Sequence, residues 1–215
     1  MIQAFPDPRS ATPEGIVAAG GDLQPESLLL AYRNGIFPWP HPGLALLWFC
    51  PPARAVLEFQ DLHVARSLAQ ARKRLLYTFT MDRAFRDVIA ACARAPRPGQ
   101  GGTWLTPAMI EGYCRLHRLG RAHSVEAWEA GRLVGGVYGV DADGPFSGES
   151  MFHLRPYASK LALLRLIEHL GSRGLGWLDI QVMTPHMKAM GAKEIPRDEF
   201  LKRLARTRSL GLKLF

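Results

Sequence analysis

His123-Ser124-Val125-Glu126-Ala127-Trp128, then Glu129-Ala130-Gly131-Arg132, then Leu133 to Val140, Asp141-Ala142-Asp143-Gly144, and Pro145 to Phe152 form the run that decides the fold. Here the apolar period drops from helical spacing to two, and each alternating segment ends at a turn-forming tetrapeptide. Three adjacent strands of this kind predict an antiparallel meander. Downstream, Leu163, Leu166, Ile167 and Leu170 share one helical face, and Trp177 to Met183 reads as a further strand. Thr184-Pro185 opens a short helix, and a basic helix completes the chain.

Upstream of the meander, Val64 to Arg74 and Asp82 to Arg94 read as helices, followed by an exposed loop from Pro96 to Gly102. Thr106-Pro107 then supplies a cap and a first-turn proline; Met109, Tyr113 and Leu116 follow at helical spacing, and Gly120 closes that helix. Before Pro51-Pro52 lies a Pro- and Gly-rich segment with one helix, begun at Pro25 and stopped at Asn34-Gly35. Ile36 to Gly43 reads as a rigid loop and Leu46 to Phe49 as a short strand. The order of elements predicts an α+β fold: an N-acetyltransferase-like (GNAT-like) domain over residues 56–215, carrying a small N-terminal domain over residues 1–55.

With 215 residues and 47% hydrophobic content, the chain can bury a sizeable core, and its mean hydropathy of −0.04 excludes a disordered class. No apolar run reaches the roughly 18 residues of a membrane span, and the start of the chain lacks a basic, apolar signal. Cys50, Cys92 and Cys114 are odd in number and widely spaced, which suits reduced thiols in the cytoplasm. The net charge of +8 favours a polyanionic partner, with nucleic acid ahead of membrane.

Alternation through Trp177 to Met183 puts Leu178, Ile180 and Val182 on one side and Asp179 with Gln181 on the other. Neighbours on one strand face stand about 7 Å apart, so both can converge on one small polar substrate; a solvated polar edge is the plainer reading. An acetyltransferase would carry a Gly-rich phosphate cradle at the joint Met151 to Lys160, and no glycine occurs there. Coenzyme A is therefore not expected, though Ser159 and Lys160 could still hold a phosphate. Arg66, Lys73 and Arg74 lie on one helix face, spanning about 11 Å, either as a track for a phosphate backbone or as a solvated stripe. Trp39 and Trp104 sit on loops, as stacking platforms for bases or as packing between domains. Glu149 stands amid an apolar strand, facing a cationic substrate or an internal arginine. Phe146, Val137, Leu166 and Leu170 supply a pocket or simply core. The seven histidines show no metal-ligand spacing, and no metal is expected.

The chain resembles the leucyl/phenylalanyl-tRNA–protein transferases. The resemblance is carried by Gly20-Gly21-Asp22-Leu23, Tyr32 to Trp39, Gly102-Thr103-Trp104-Leu105-Thr106, His123 to Glu126 and Gly135 to Val140. It continues through Gly148-Glu149-Ser150-Met151-Phe152, Ala158-Ser159-Lys160, Leu178-Asp179-Ile180-Gln181 and Met190 to Arg197, in order over nearly the whole chain. The resemblance implies transfer of Leu, Phe or Met from aminoacyl-tRNA to the α-amine of acceptor proteins beginning with Arg or Lys, feeding the N-degron pathway. It implies no cofactor, no membrane association and a monomer. By resemblance, Gln181 contacts the amine while Asp179 polarises it or acts as base through it, or both only orient. Trp39 and Trp104 hold the terminal adenosine, and Phe146, Val137, Leu166 and Leu170 line the amino-acid pocket. Glu149 and Ser150 fall in the acceptor motif, and Arg66, Lys73, Arg74 and Lys160 meet the tRNA. Two pocket residues, Val137 and Leu166, are smaller than the family's Met and Phe, and Gln70 replaces a family Arg while Arg72 adds a charge nearby. The competing readings are a tRNA-dependent transferase acting on a cell-wall peptide precursor and a non-catalytic RNA-binding module.

Overall fold

A computed structural model describes residues 1–74, 76–96 and 104–215. The expected loop from Arg97 onward, and the Gly102-Thr103 part of the Trp104 motif, lie outside the described residues. The elements run β1 (Ile16–Ala19), α1 (Pro25–Arg33), β2 (Phe37–Pro38), β3 (Leu47–Phe49), β4 (Ala53–Glu58), α2 (Arg66–Lys73), β5 (Thr78–Met81), α3 (Phe85–Arg94) and α4 (Pro107–Arg118). They continue with β6 (Ala122–Glu129), β7 (Arg132–Asp141), β8 (Phe146–His153), α5 (Ala158–Ser172), β9 (Trp177–Gln181), α6 (Pro185–Ala189), β10 (Lys193–Pro196) and α7 (Arg197–Ser209).

The meander forms as β6-β7-β8, with Ala130 and Gly131 both at positive φ in the two-residue turn between the first two strands. Thr106 and Thr184 cap their helices by accepting from the N–H groups of Met109 and Met187. Several bounds differ from the sequence reading. Asp82 does not begin α3, because it sits at φ 58 and its carboxylate accepts from the Ser124 N–H and pairs with His123. The residues before it, Thr78–Met81, instead pair with β6 as an edge strand. Within the expected loop 36–43, Phe37 and Pro38 pair with β3, and α2 starts at Arg66 rather than Val64. β9 ends at Gln181, whose φ of 57 breaks the alternation, so Val182 is exposed rather than facing the core with Leu178.

A seven-stranded sheet has the order β10-β4-β9-β8-β7-β6-β5, and a three-stranded sheet the order β1-β3-β2. Among the described residues of the large sheet, β8 and β9 pair in parallel, joined by the α5 crossover, and the other neighbours are antiparallel. One face packs on α5 with help from α2, α6 and α7, gathering Val137, Phe146, Leu166 and Leu170. The other face packs on α3 and α4, gathering Tyr138 and Val140. That second cluster also takes Leu28, Tyr32, Ile36, Phe37, Trp48 and Phe49, so the N-terminal segment shares its core with the main sheet.

Gly139 permits the close β7–β8 contact. A Cβ there would lie 2.3 Å from the Ser147 carbonyl oxygen and 2.4 Å from the Phe146 ring. Backbone cannot yield cheaply, so Gly139→Ala should cost about 2–3 kcal/mol, lowering the thermal midpoint by roughly 4–12 °C. A melt within a degree of the parent would show that the strand pair absorbs the methyl.

Candidate active site

Two irregularities in the sheet build the site. Tyr138 pairs with Ser150 and Gly139 with Gly148, which leaves Glu149 as the extra residue of a bulge. On the other side, Ala55 pairs with Gln181 and Val56 with Asp179, which leaves Ile180 unpaired. β8 and β9 themselves pair at Ser147 and Asp179. Past that pair the Gln181 and Glu149 side chains bridge the two strands, Gln181 Nε2 donating to Glu149 Oε1 at 2.5 Å. The bulges thus turn an acid and an amide toward each other from neighbouring strands.

Asp179 is buried against Arg54, and both are 1% exposed. Its Oδ1 accepts from Arg54 Nε at 2.7 Å and from the Gln181 backbone N–H at 3.0 Å. Its Oδ2 accepts from Arg54 Nη2 at 2.7 Å and from Ser147 Oγ at 2.9 Å. A carboxylate offers about four lone-pair directions, and these four donors use them. Asp179 therefore holds the Gln181 backbone in its left-handed conformation. A relay in which Asp179 polarises the Gln181 carboxamide has no direct bond here, because the carboxamide's partner is Glu149.

Glu149 is half-buried and accepts from Tyr113 Oη at 3.1 Å, and the Tyr113 and Tyr32 hydroxyls lie 2.6 Å apart. Desolvation pushes the Glu149 carboxyl up to about 7, against the opposing hydrogen bonds of Tyr32 and Tyr113. Burial, reinforced by the charge of Glu149, raises both phenols well above their usual range. The site thus holds an acid that changes charge near neutrality while its neighbours stay protonated.

The other expected site residues are spread over several elements. Trp39 and Trp104 are half-buried at the border of the α3/α4-side cluster, Trp39 packing on Phe37, His41 and Phe49 at 6.0, 6.0 and 5.7 Å. Ser150 lies beside Glu149 on the same strand. Val137, Phe146, Leu166 and Leu170 come together, buried in the α5-side cluster. Arg66, Lys73 and Arg74 are exposed on and just beyond α2, where neighbouring Arg72 bonds Glu168 of α5. Lys160, in the first turn of α5, lies close enough to His186 that, after burial, its charge helps push that imidazole down to about 4. The sequence reading missed Arg54, Tyr32, Tyr113 and Ser147. For Arg54 a signal existed, a lone charge heading the apolar run Ala55-Val56-Leu57.

The family model described as leucyl/phenylalanyl-tRNA protein transferase matches residues 56–205, and the one described as its N-terminal domain matches residues 21–52. A leucyl/phenylalanyl-tRNA–protein transferase of Anaeromyxobacter sp. (strain Fw109-5) is 54% identical over 203 residues, 94% of this chain and 86% of that one. The chain belongs to the leucyl/phenylalanyl-tRNA–protein transferase family. Proteins of the same name from Nitratidesulfovibrio vulgaris (strain DP4) and Myxococcus xanthus (strain DK1622) are 53% and 50% identical, over 92% and 95% of this chain and 84% and 87% of theirs. Membership of the leucyl/phenylalanyl-tRNA–protein transferases makes the chain an aminoacyltransferase. Among solved structures, L-PGS from Bacillus licheniformis overlaps 74% of this chain and 52% of its own, at 15% identity and a TM-score of 0.41. No helix among the described residues is long and apolar enough to cross a membrane.

Proposed function

We propose that this enzyme moves Leu or Phe, and less readily Met, from aminoacyl-tRNA to the N-terminal α-amine of proteins beginning with Arg or Lys. The product would enter N-degron proteolysis in the cytoplasm. The observation that carries this reading is the Glu149–Gln181 pair, an acid and an amide bonded across the strands in a chain of a tRNA-dependent family. The scaffold is read as acetyltransferase-like but without coenzyme A, its small N-terminal domain of residues 1–55 supplying Trp39.

The donor ester is already activated, so the reaction needs no ATP, metal or other cofactor, and the enzyme acts as a monomer. A new bond joins the acceptor nitrogen to the carbonyl carbon while the bond from that carbon to the ribose oxygen breaks. The ribose oxygen leaves with one proton, and the ammonium gives up two in all. Glu149 attracts the ammonium and takes one proton, its value of about 7 being well matched to an α-amine near pKa 8. Gln181, whose Nε2 is engaged by Glu149, keeps its carboxamide oxygen for an N–H of the amine. Asp179 orients Gln181, and Ser150 lies beside the acceptor. Trp39 and Trp104 stack on the terminal adenosine, while Val137, Phe146, Leu166 and Leu170 part to admit the amino-acid side chain.

The decisive assay is transfer of radiolabelled Leu from Leu-tRNA to a protein beginning with Arg or Lys, with the same protein beginning with Ala as control. Transfer confined to the basic termini supports the reading; equal transfer to Ala, or none, removes it. Arg66, Lys73, Arg74 and Lys160 contact tRNA phosphates in this reading. Log affinity for tRNA should then fall against log salt with a slope of about −3, reduced by about 1 in Arg66→Ala. A flat salt response would exclude the α2 stripe.

A further inference from the structure

We propose that Arg54 is a positioning residue that holds the donor platform and the acceptor cluster in register, a role that rests on the function proposed above. The two half-sites come from separate parts of the chain: Trp39 from the segment just after β2, and Asp179 with Gln181 from the end of β9. Arg54 touches both. Its Nε and Nη2 grip Asp179, while its Nη1 donates to the Gly35 carbonyl oxygen at 3.0 Å, at the root of the Trp39 loop. Its guanidinium carbon stands 4.8 Å from the Phe37 ring and 4.4 Å from the Phe200 ring, so two aromatic rings pack on it. Phe37 packs on Trp39 at 6.0 Å, and Phe200 packs on Trp177 of β9 at 6.1 Å. Gly35 is itself pinned, with φ 74 and space for no side chain against Phe200.

One rigid fork therefore reads the position of the donor loop and passes it through Asp179 to the Gln181 backbone. Lysine cannot replace it. An ammonium is a point charge that neither forks onto a carboxylate nor stacks flat on an aromatic ring. Reacting groups misplaced by about an ångström lose on the order of 10²-fold in rate even when both substrates stay bound.

The test is a double-mutant cycle on the full chain, with kcat and KM measured for Leu-tRNA and for an Arg-initiated acceptor. Arg54→Lys should lower kcat by about 10²-fold while both KM values stay within about threefold. In an Asp179→Asn background the same change should cost less than about threefold, because Arg54 acts through Asp179. Losses that multiply in the double mutant, or an unchanged kcat in Arg54→Lys, would overturn the role. If Arg54→Lys melts below the assay temperature, Phe200→Leu carries the test, since it takes a ring from the guanidinium without altering the packing of Phe37 on Trp39 and leaves no charge unpaired. It should lower kcat about tenfold at unchanged KM, and full turnover there overturns the proposal. A parent enzyme that fails to transfer Leu at all overturns the proposed function instead, and this role with it.

Discussion

Asp179→Ala is expected to cost about 3–5 kcal/mol of stability together with at least 10²-fold in turnover. The stability loss follows from what remains: Arg54, 1% exposed, would keep its charge with the Gly35 carbonyl as its oxygen partner among the described residues. Removing one member of a buried ion pair costs far more than the pair contributes, because the survivor is desolvated and unpaired. For a chain of this length that corresponds to a midpoint lowered by roughly 6–20 °C, read by circular dichroism. Asp179→Asn keeps the volume and one acceptor oxygen but, like Asp179→Ala, leaves the Arg54 charge without its counter-charge, so its stability is measured beside its turnover. Its amide N–H₂ faces donors, which weakens the restraint on Gln181 while the core stays filled. Turnover of Asp179→Asn should fall by about 10²-fold or more at temperatures where the variant is folded, and Gln181→Ala should match it. Full activity in both would take the pair out of the mechanism.

Glu149→Gln should lower kcat/KM for basic-terminus acceptors by about 10²–10³-fold and erase the rising limb of the pH profile near 7. The carboxyl is raised from 4.5 to about 7, so its charged form, the one that would attract and deprotonate an ammonium in the proposed reaction, fills as pH rises through that value. Activity therefore climbs from about pH 6 to 8. Stability runs the opposite way. A raised carboxyl contributes fully below its unfolded value of about 4.5, and the contribution is lost as pH rises through about 7. The pH that arms the site thus weakens the fold, and Glu149→Gln should flatten that decline. Tyr113→Phe removes a donor to the carboxylate and should move the activity limb to higher pH. An unaltered limb in Glu149→Gln would assign the titration to another group.

The meander was legible because its signals are local: alternation and turn residues lie within a few positions of each other. Thr106 and Thr184 were legible for the same reason. The strands β4, β5 and β10 were not, since each is short and gains its pairing from a strand distant in sequence. Ala53–Glu58 in particular follows two prolines that read as a boundary, yet it inserts between β10 and β9. Asp179 and Gln181 stand out in the sequence through their polarity within an apolar strand, but the contacts each one makes were hidden. Alternation would set them side by side on one face, whereas the chain turns left-handed at Gln181 and the real partner is Glu149, 32 residues away. Nothing periodic announces a bulge. The internal arginine weighed for Glu149 exists, as Arg54, but it belongs to Asp179 across 125 residues.

Position 181 makes two demands that no ordinary residue meets together. Its backbone, at φ 57, suits glycine first and asparagine next. Its side chain must span to the neighbouring strand, which glycine cannot do and asparagine, one methylene short, would miss. Glutamine has the reach and accepts the unfavourable backbone. The occupant is thus chosen against local conformational preference, so stability-driven redesign of this chain would be drawn to replace the one amide that bridges the two strands at Glu149.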